Sequence, residues 1–363
     1  MDTTKSNPKR QKSHEDPPPL EHQQKKGKMS VCTPGQKSDN ALHTQSEFLE
    51  MRRMIEAGMF TWSGPGNKKG MKHALGFTVF VQPFLIENAK SNPEDVDLLS
   101  ESQKKTIISS LAGYCVQEKW DVLMGLVPDM LRGTILEIFL EALIYKDIFG
   151  RFFMAPFWYL DGKMSPSDEG DEMFSTRLQH LYDRFYETNP LMAALWRSET
   201  NRLANSMTLD LAPSTLLGTH HRDRRQSFIG QFVDETLSSE PIKWLLRDPS
   251  SKEEEDKRYE LLYMIYERAA EEAAKMGNIR GHIDFHTLAQ LPETFTLGEA
   301  DRMYLHEYNL CDYSDRVDGH RVLILVRPGI VRRYISAREE ELTEFSMPAY
   351  VVVQESAEEN KHK

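Results

Sequence analysis

Cysteine is nearly absent. The chain has three in 363 residues, Cys32, Cys115 and Cys311, and none forms a C-x-x-C pair. That count excludes a disulfide framework and a cysteine-based zinc site, and it points to a reducing, intracellular compartment. No unbroken apolar run approaches the roughly 18 residues that a membrane span requires. No apolar leader opens the chain, so no secretory signal is expected. Residues 1–43 lack aromatics altogether, Phe48 being the first. Cofactor and catalytic motifs are missing too. The turn-rich stretch Ser63–Gly70 carries Lys69 where a dinucleotide loop and a phosphate loop both need glycine, and Gly70 where the phosphate loop needs lysine. His221-Arg222-Asp223 lacks the leucine and asparagine of a kinase catalytic loop, and no G-x-S-x-G elbow occurs. No catalytic residue, cofactor or metal is therefore expected from motifs.

Charge is unevenly placed. The first 40 residues hold eight Lys/Arg against five Asp/Glu, and the rest of the chain holds the remaining 37 Lys/Arg against 51 Asp/Glu. An acidic body argues against nucleic acid as its partner. The head, with Pro17-Pro18-Pro19 among polar residues, cannot bury enough apolar surface to offset chain entropy and reads as disordered. Two basic clusters in it, Lys9, Arg10 and Lys12 and then Lys25, Lys26 and Lys28, have the spacing of a two-part nuclear import signal. A solvated tail that aids solubility is the plain alternative.

What is present is helical periodicity. Gln45–Phe60 repeats apolar residues at three- and four-residue steps. Val127–Leu160 is the most apolar stretch and predicts one long helix opened by Pro128, with Gly150 and Pro156 bending or ending it. Glu137, Glu141, Lys146, Asp147 and Arg151 keep it from being a membrane span. The aromatics Phe152, Phe153, Phe157, Trp158 and Tyr159 read as core. Ser100 and Ser250 each open a capping-box pattern. Phe174, Leu178, Leu181 and Phe185 form an amphipathic stripe ended by Asn189-Pro190, and Pro190 starts the next helix. A further helix is expected after His220–Arg225, broken by Pro241, and a long one ends at Gly277-Asn278.

Strand signals are few. Phe77–Val81 is β-branched and aromatic and predicts a short strand stopped by Pro83. Arg321–Val326 and Ala349–Val353 are apolar strand candidates, with Pro328-Gly329 as a break and Ile330–Tyr334 read as a helical turn. The expected class is mainly α: a disordered basic tail over 1–43, a helical domain over 44–309, a strand-containing segment of two or three short strands over 310–355, and a frayed end over 356–363. The segment V-L-I-L-V-R-P-G over Val322–Gly329 and the closing Tyr350–Val353 resemble uncharacterised helical proteins of filamentous fungi. That resemblance implies an intracellular protein with no assigned activity.

Two local patterns bear on chemistry. His282 and His286 lie four apart, as zinc ligands on a helix do. Ile283 stands where H-E-x-x-H has glutamate, Gly281 precedes, and no clear third ligand follows, His306 and His320 being distant, so a solvent-facing or loop pair is the expectation. Arg224-Arg225-Gln226-Ser227 looks like a basophilic kinase target, with Ser227 near a helix start. Together these features suggest a non-enzymatic protein-interaction or regulatory protein inside the cell, cytoplasmic or nuclear, with other proteins as partners and no membrane. The alternative is an enzyme or small-molecule binder with a pocket between helices.

Overall fold

A computed structural model describes residues 75–163, 167–205, 216–278, 281–297, 302–306, 317–335 and 341–354. All lie within one compact unit, Ile55–Lys363. The expectations for residues 1–43, Gln45–Phe60, Ser63–Gly70 and 356–363, including the basic clusters, fall outside the described residues. The architecture is mainly helical with a small C-terminal β element. In chain order the helices are α1 (Thr78–Asn88), α2 (Pro93–Asp97), α3 (Glu101–Ser110), α4 (Trp120–Leu126), α5 (Ile135–Ile148), α6 (Phe174–Thr188), α7 (Pro190–Asn205), α8 (Leu216–Ser238), α9 (Glu240–Leu245) and α10 (Lys252–Gly277). No helix among the described residues is long and apolar enough to cross a membrane.

The apolar centre is α5. Eleven of its fourteen residues are buried, so it is enclosed on every face and not along a single stripe. The stretch around it is three pieces and not one helix: a 3₁₀ segment Asp129–Thr134, then α5, then a π turn Phe149–Phe153. Gly133 and Gly150 fall in the first and third pieces, where regular helix is weakest. The π turn spreads Phe149, Phe152 and Phe153 across the main core. Phe157, Tyr159 and Leu160 belong instead to a second cluster with Tyr182, Ala193 and Ala204.

One polar knot ties α5 to two other helices. Asp147 Oδ2 accepts from Arg151 Nε at 2.7 Å, from the Tyr266 hydroxyl at 2.6 Å and from Thr236 Oγ1 at 3.2 Å. Thr236 belongs to α8 and Tyr266 to α10. Burial and the adjacent carboxylate raise the Tyr266 pKa well above the ordinary phenol value, so it stays a donor.

Phe77–Val81 is helical and not a strand. Phe77, Val81, Phe84, Leu85 and Asn88 are all buried, and they recur at helical spacing. That repeat outweighs β propensity, which mostly reports fit to a pleated surface. Pro83 lies inside α1 on its exposed side, where the carbonyl it leaves unbonded can meet water. The Glu272 carboxylate of α10 accepts the N–H groups of Gly76 and Phe77 at the start of α1, and burial pushes its pKa up to about 7.

The capping box at Ser100 forms as expected: Ser100 Oγ accepts from Gln103 N and Gln103 Oε1 accepts from Ser100 N. The second is shifted by one residue. Ser251 caps α10, and Glu254 reaches back to Ser250 N at 2.7 Å. Helix α8 begins at Leu216, so His220–Arg225 lie within it and not before it.

Among the described residues the β element has six strands rather than two or three: β1 (His282–His286), β2 (Met303–Leu305), β3 (Val322–Arg327), β4 (Gly329–Ile335), β5 (Glu341–Met347) and β6 (Ala349–Val353). They form two three-stranded sheets, ordered β1-β4-β5 and β2-β6-β3. All pairs are antiparallel except β2 with β6. The expected helical turn at Ile330–Tyr334 is β4, because strand pairing on both sides takes up its backbone groups. Strand β3 is buried over Val322–Val326 and packs on α5. His306, just past β2, sets its Nε2 2.8 Å from Glu141 Oε2 of α5.

Candidate functional site

Gly281 has φ 88°, a left-handed conformation that ends any helical run and lets the chain enter β1 extended. On a strand, residues two apart share a face. His282, Asp284 and His286 therefore line one face of β1, and register puts Arg333 and Val331 of β4, then Thr343 of β5, beside them. The opposite face carries Ile283 and Phe285. Phe285 meets the core, its ring centroid 5.5 Å from Phe149 and 5.9 Å from Phe153. The two histidines are thus neither helical nor loop residues, and both are partly buried.

A chain of hydrogen bonds runs across the polar face. The Tyr182 hydroxyl of α6 lies 2.7 Å from His282 Nδ1, His282 Nε2 lies 2.8 Å from Asp284 Oδ1, and Arg333 Nε donates to Asp284 Oδ2 at 2.7 Å. Burial alone would raise the Asp284 pKa. The bonds from His282 and Arg333 win and hold it at about 2. A charged Asp284 needs a hydrogen on His282 Nε2, so a neutral ring offers Nδ1 as acceptor for the Tyr182 hydroxyl. Tyr186 packs on the same imidazole with ring centroids 4.1 Å apart, and Arg333 lies 5.7 Å from the Tyr186 ring centroid. Arg197 of α7 donates to the Gly281 carbonyl at 3.1 Å, so both α6 and α7 grip the start of β1.

The order tyrosine, histidine, aspartate has the form of a nucleophile, base and orienting acid. Its placement does not fit that task. Tyr182 is not among the residues that line the neighbouring cavity, and burial raises its pKa. The chain positions Asp284 and Arg333 instead. Beside them lies a cavity of about 380 Å³, lined by Asp284, Phe285, His286, Gln290, Val331, Arg333 and Thr343. Burial lowers the His286 pKa, favouring the neutral ring. Gln290 spends its carbonyl oxygen on Thr287 N and Oγ1, so its amide NH₂ is what it can offer a ligand.

The sequence reading weighed His282 and His286 as a helical zinc pair, expected a solvent-facing or loop pair instead, and missed Tyr182, Gln290, Arg333 and Thr343. The signal for the strand was the alternation H-x-D-x-H directly after a glycine. Arg333 lay hidden in the segment read as a helical turn. Ser227 is exposed in the middle of α8 and not near a helix start, its Oγ bonded to the Arg224 carbonyl at 2.8 Å. Cys115 is buried, and burial pushes its thiol up to about 12.

Compared with family models, curated proteins and solved structures, the chain matches none. The resemblance to helical proteins of filamentous fungi gains no support there and meets no contradiction.

Proposed function

We propose that this chain binds a small anionic or acceptor-rich molecule in the cavity on the β1-β4-β5 sheet. The observation that carries the reading is the cavity itself: about 380 Å³, with Arg333, His286, Gln290 and Thr343 at its wall beside the Asp284 carboxylate, which Arg333 and His282 bond. Its volume sits at the low end of the roughly 300–1,000 Å³ typical of ligand sites. Its polar groups are mostly donors, and the Tyr182–His282–Asp284 chain fixes the direction of Arg333. Guanidinium and imidazole suit a carboxylate or a phosphate.

The test is a melting screen of the full chain against mono-, di- and tricarboxylates and phosphate monoesters, followed by calorimetry on compounds that stabilise. A true ligand should bind Arg333→Met at least about tenfold more weakly and Thr343→Val several-fold more weakly, with circular dichroism unchanged. No stabilising compound, or one that binds both variants as well as the parent, would refute the reading.

A second reading, an intracellular protein-interaction or regulatory protein that enters nuclei, draws on α6. Leu181 and Phe185, one turn apart, remain 40% and 39% exposed. A reporter fused to residues 1–40 should concentrate in nuclei and lose that distribution when Lys9, Arg10, Lys25 and Lys26 become alanine.

A further inference from the structure

Away from the sheet cavity, Asp161 meets two adjacent histidines of α8. Asp161, His220 and His221 each bring a donor atom to within 4.8 Å of the other two. His221 is buried, and its Nδ1 lies 2.7 Å from the Ala204 carbonyl at the end of α7. A carbonyl only accepts, so Nδ1 carries the hydrogen and Nε2 keeps its lone pair. That is the tautomer and support found in metal-binding histidines. The ring is also held edge-on against Tyr159, with centroids 5.8 Å apart. Asp161 is buried too. Its Oδ1 accepts from Lys163 N at 3.2 Å, and its Oδ2 lies 2.9 Å from His220 Nε2. The backbone around it is pinned: Asp171 N donates to Asp161 O at 2.8 Å, and Gly170, at φ 87°, would bring a Cβ to within 2.9 Å of that same oxygen.

We propose that Asp161, His220 and His221 form a binding site for one divalent transition-metal ion of the Zn²⁺ class. Two imidazoles and a carboxylate are the donor set such ions take, and three protein ligands leave a fourth position for water. His220, with a side chain 39% exposed, keeps that side open to solvent. Bonds of about 2.0–2.2 Å need donors roughly 3.4 Å apart; His220 Nε2 and Asp161 Oδ2, at 2.9 Å, are already inside that span, and the remaining adjustment lies between this pair and His221. Two cations oppose the ion, and Arg225 is one, its charge reaching His221. Arg224 Nη1 lies 3.8 Å from Asp161 Oδ2, and its Nε donates to the Tyr159 carbonyl at 3.0 Å, which fixes the guanidinium nearby. A cation there weakens binding without removing a ligand.

The test is titration of the full, chelator-treated chain with Zn²⁺ against a metal-indicator dye. The expected result is one site lost in His220→Ala and in Asp161→Asn, each by tenfold or more, and kept in His180→Ala on exposed α6. Arg224→Gln should bind several-fold more tightly, which general damage to the fold would not produce. His220→Ala is the key variant, because its exposed ring can be removed without opening the core, and an unchanged melt of its metal-free form confirms that. Absence of saturable binding at micromolar Zn²⁺ overturns the proposal. So does binding that survives both His220→Ala and Asp161→Asn.

Discussion

Replacing Asp284 by asparagine tests the polar face of the β1-β4-β5 sheet most directly. The side chain keeps its shape but loses its charge, and its NH₂ must face either His282 Nε2–H or Arg333 Nε–H, a donor against a donor. A carboxyl held at about 2 in place of its ordinary 3.8 contributes about 2 kcal/mol to folding. Because the folded pKa is depressed, that stability is fully present above the unfolded value. It is lost as pH falls from about 4 towards 2. Urea unfolding of the parent and Asp284→Asn, followed by tryptophan fluorescence, should therefore show a gap of about 2 kcal/mol near pH 6 that shrinks to about half near pH 3. The paired acceptors at 2.8 and 2.7 Å make the reasoning strict. A gap below ~0.5 kcal/mol at the higher pH, or one that does not shrink at the lower, would mean that Asp284 is solvated and that the face is not organised around it.

Three further outcomes follow from the interior. Leu140 and Ile144 are 0% and 1% exposed, so the double change to alanine should unfold the chain or sharply lower its denaturant midpoint, each cavity costing about 2–5 kcal/mol alone; exposed Glu260→Ala should shift it by less than ~0.5 kcal/mol. Tyr266→Phe removes a buried donor to Asp147 and should cost about 1.5–3 kcal/mol in chemical denaturation, whereas a cost near zero would show the Asp147 knot to be dispensable. Gly329→Ala would bring a Cβ to 3.2 Å from Ala349 N, and about 1–3 kcal/mol should be lost in thermal melts, since backbone cannot swing aside.

The helical frame was legible because its signals are local. The Ser100 box, the Asn189-Pro190 boundary and the buried run of α5 each follow from residues within a turn or two of one another. The β element was legible only where strands are apolar throughout, as in β3 and β6. Strand β4 runs Ile330, Val331, Arg332 and Arg333 with no alternation to mark a face, and its pairing with β1 joins segments distant in sequence. The sheet site was invisible for the same reason: Tyr182, Asp284 and Arg333 meet through pairings that local periodicity does not encode. Phe77–Val81 shows the reverse error, in which composition suggested a strand and the spacing of buried residues made a helix.

Two prolines mark where the chain changes sheet. Strand β3 crosses to β4 through Pro328 alone, and β5 returns to β6 through Pro348 alone. The β4–β5 hairpin is thus nested inside the β3–β6 pair, occupying the place of its loop. The inner hairpin can zip first, and once formed it brings the ends of the outer pair together, so the outer pairing does not bear the closure entropy of a long open loop. It is also a cassette. Exchanging 328–348 for a short turn would keep the deep β3–β6 pairing and remove Val331, Arg333 and Thr343 together. The cavity wall can therefore be remodelled, in the laboratory or over evolutionary time, without reworking the helical body on which the outer pair rests.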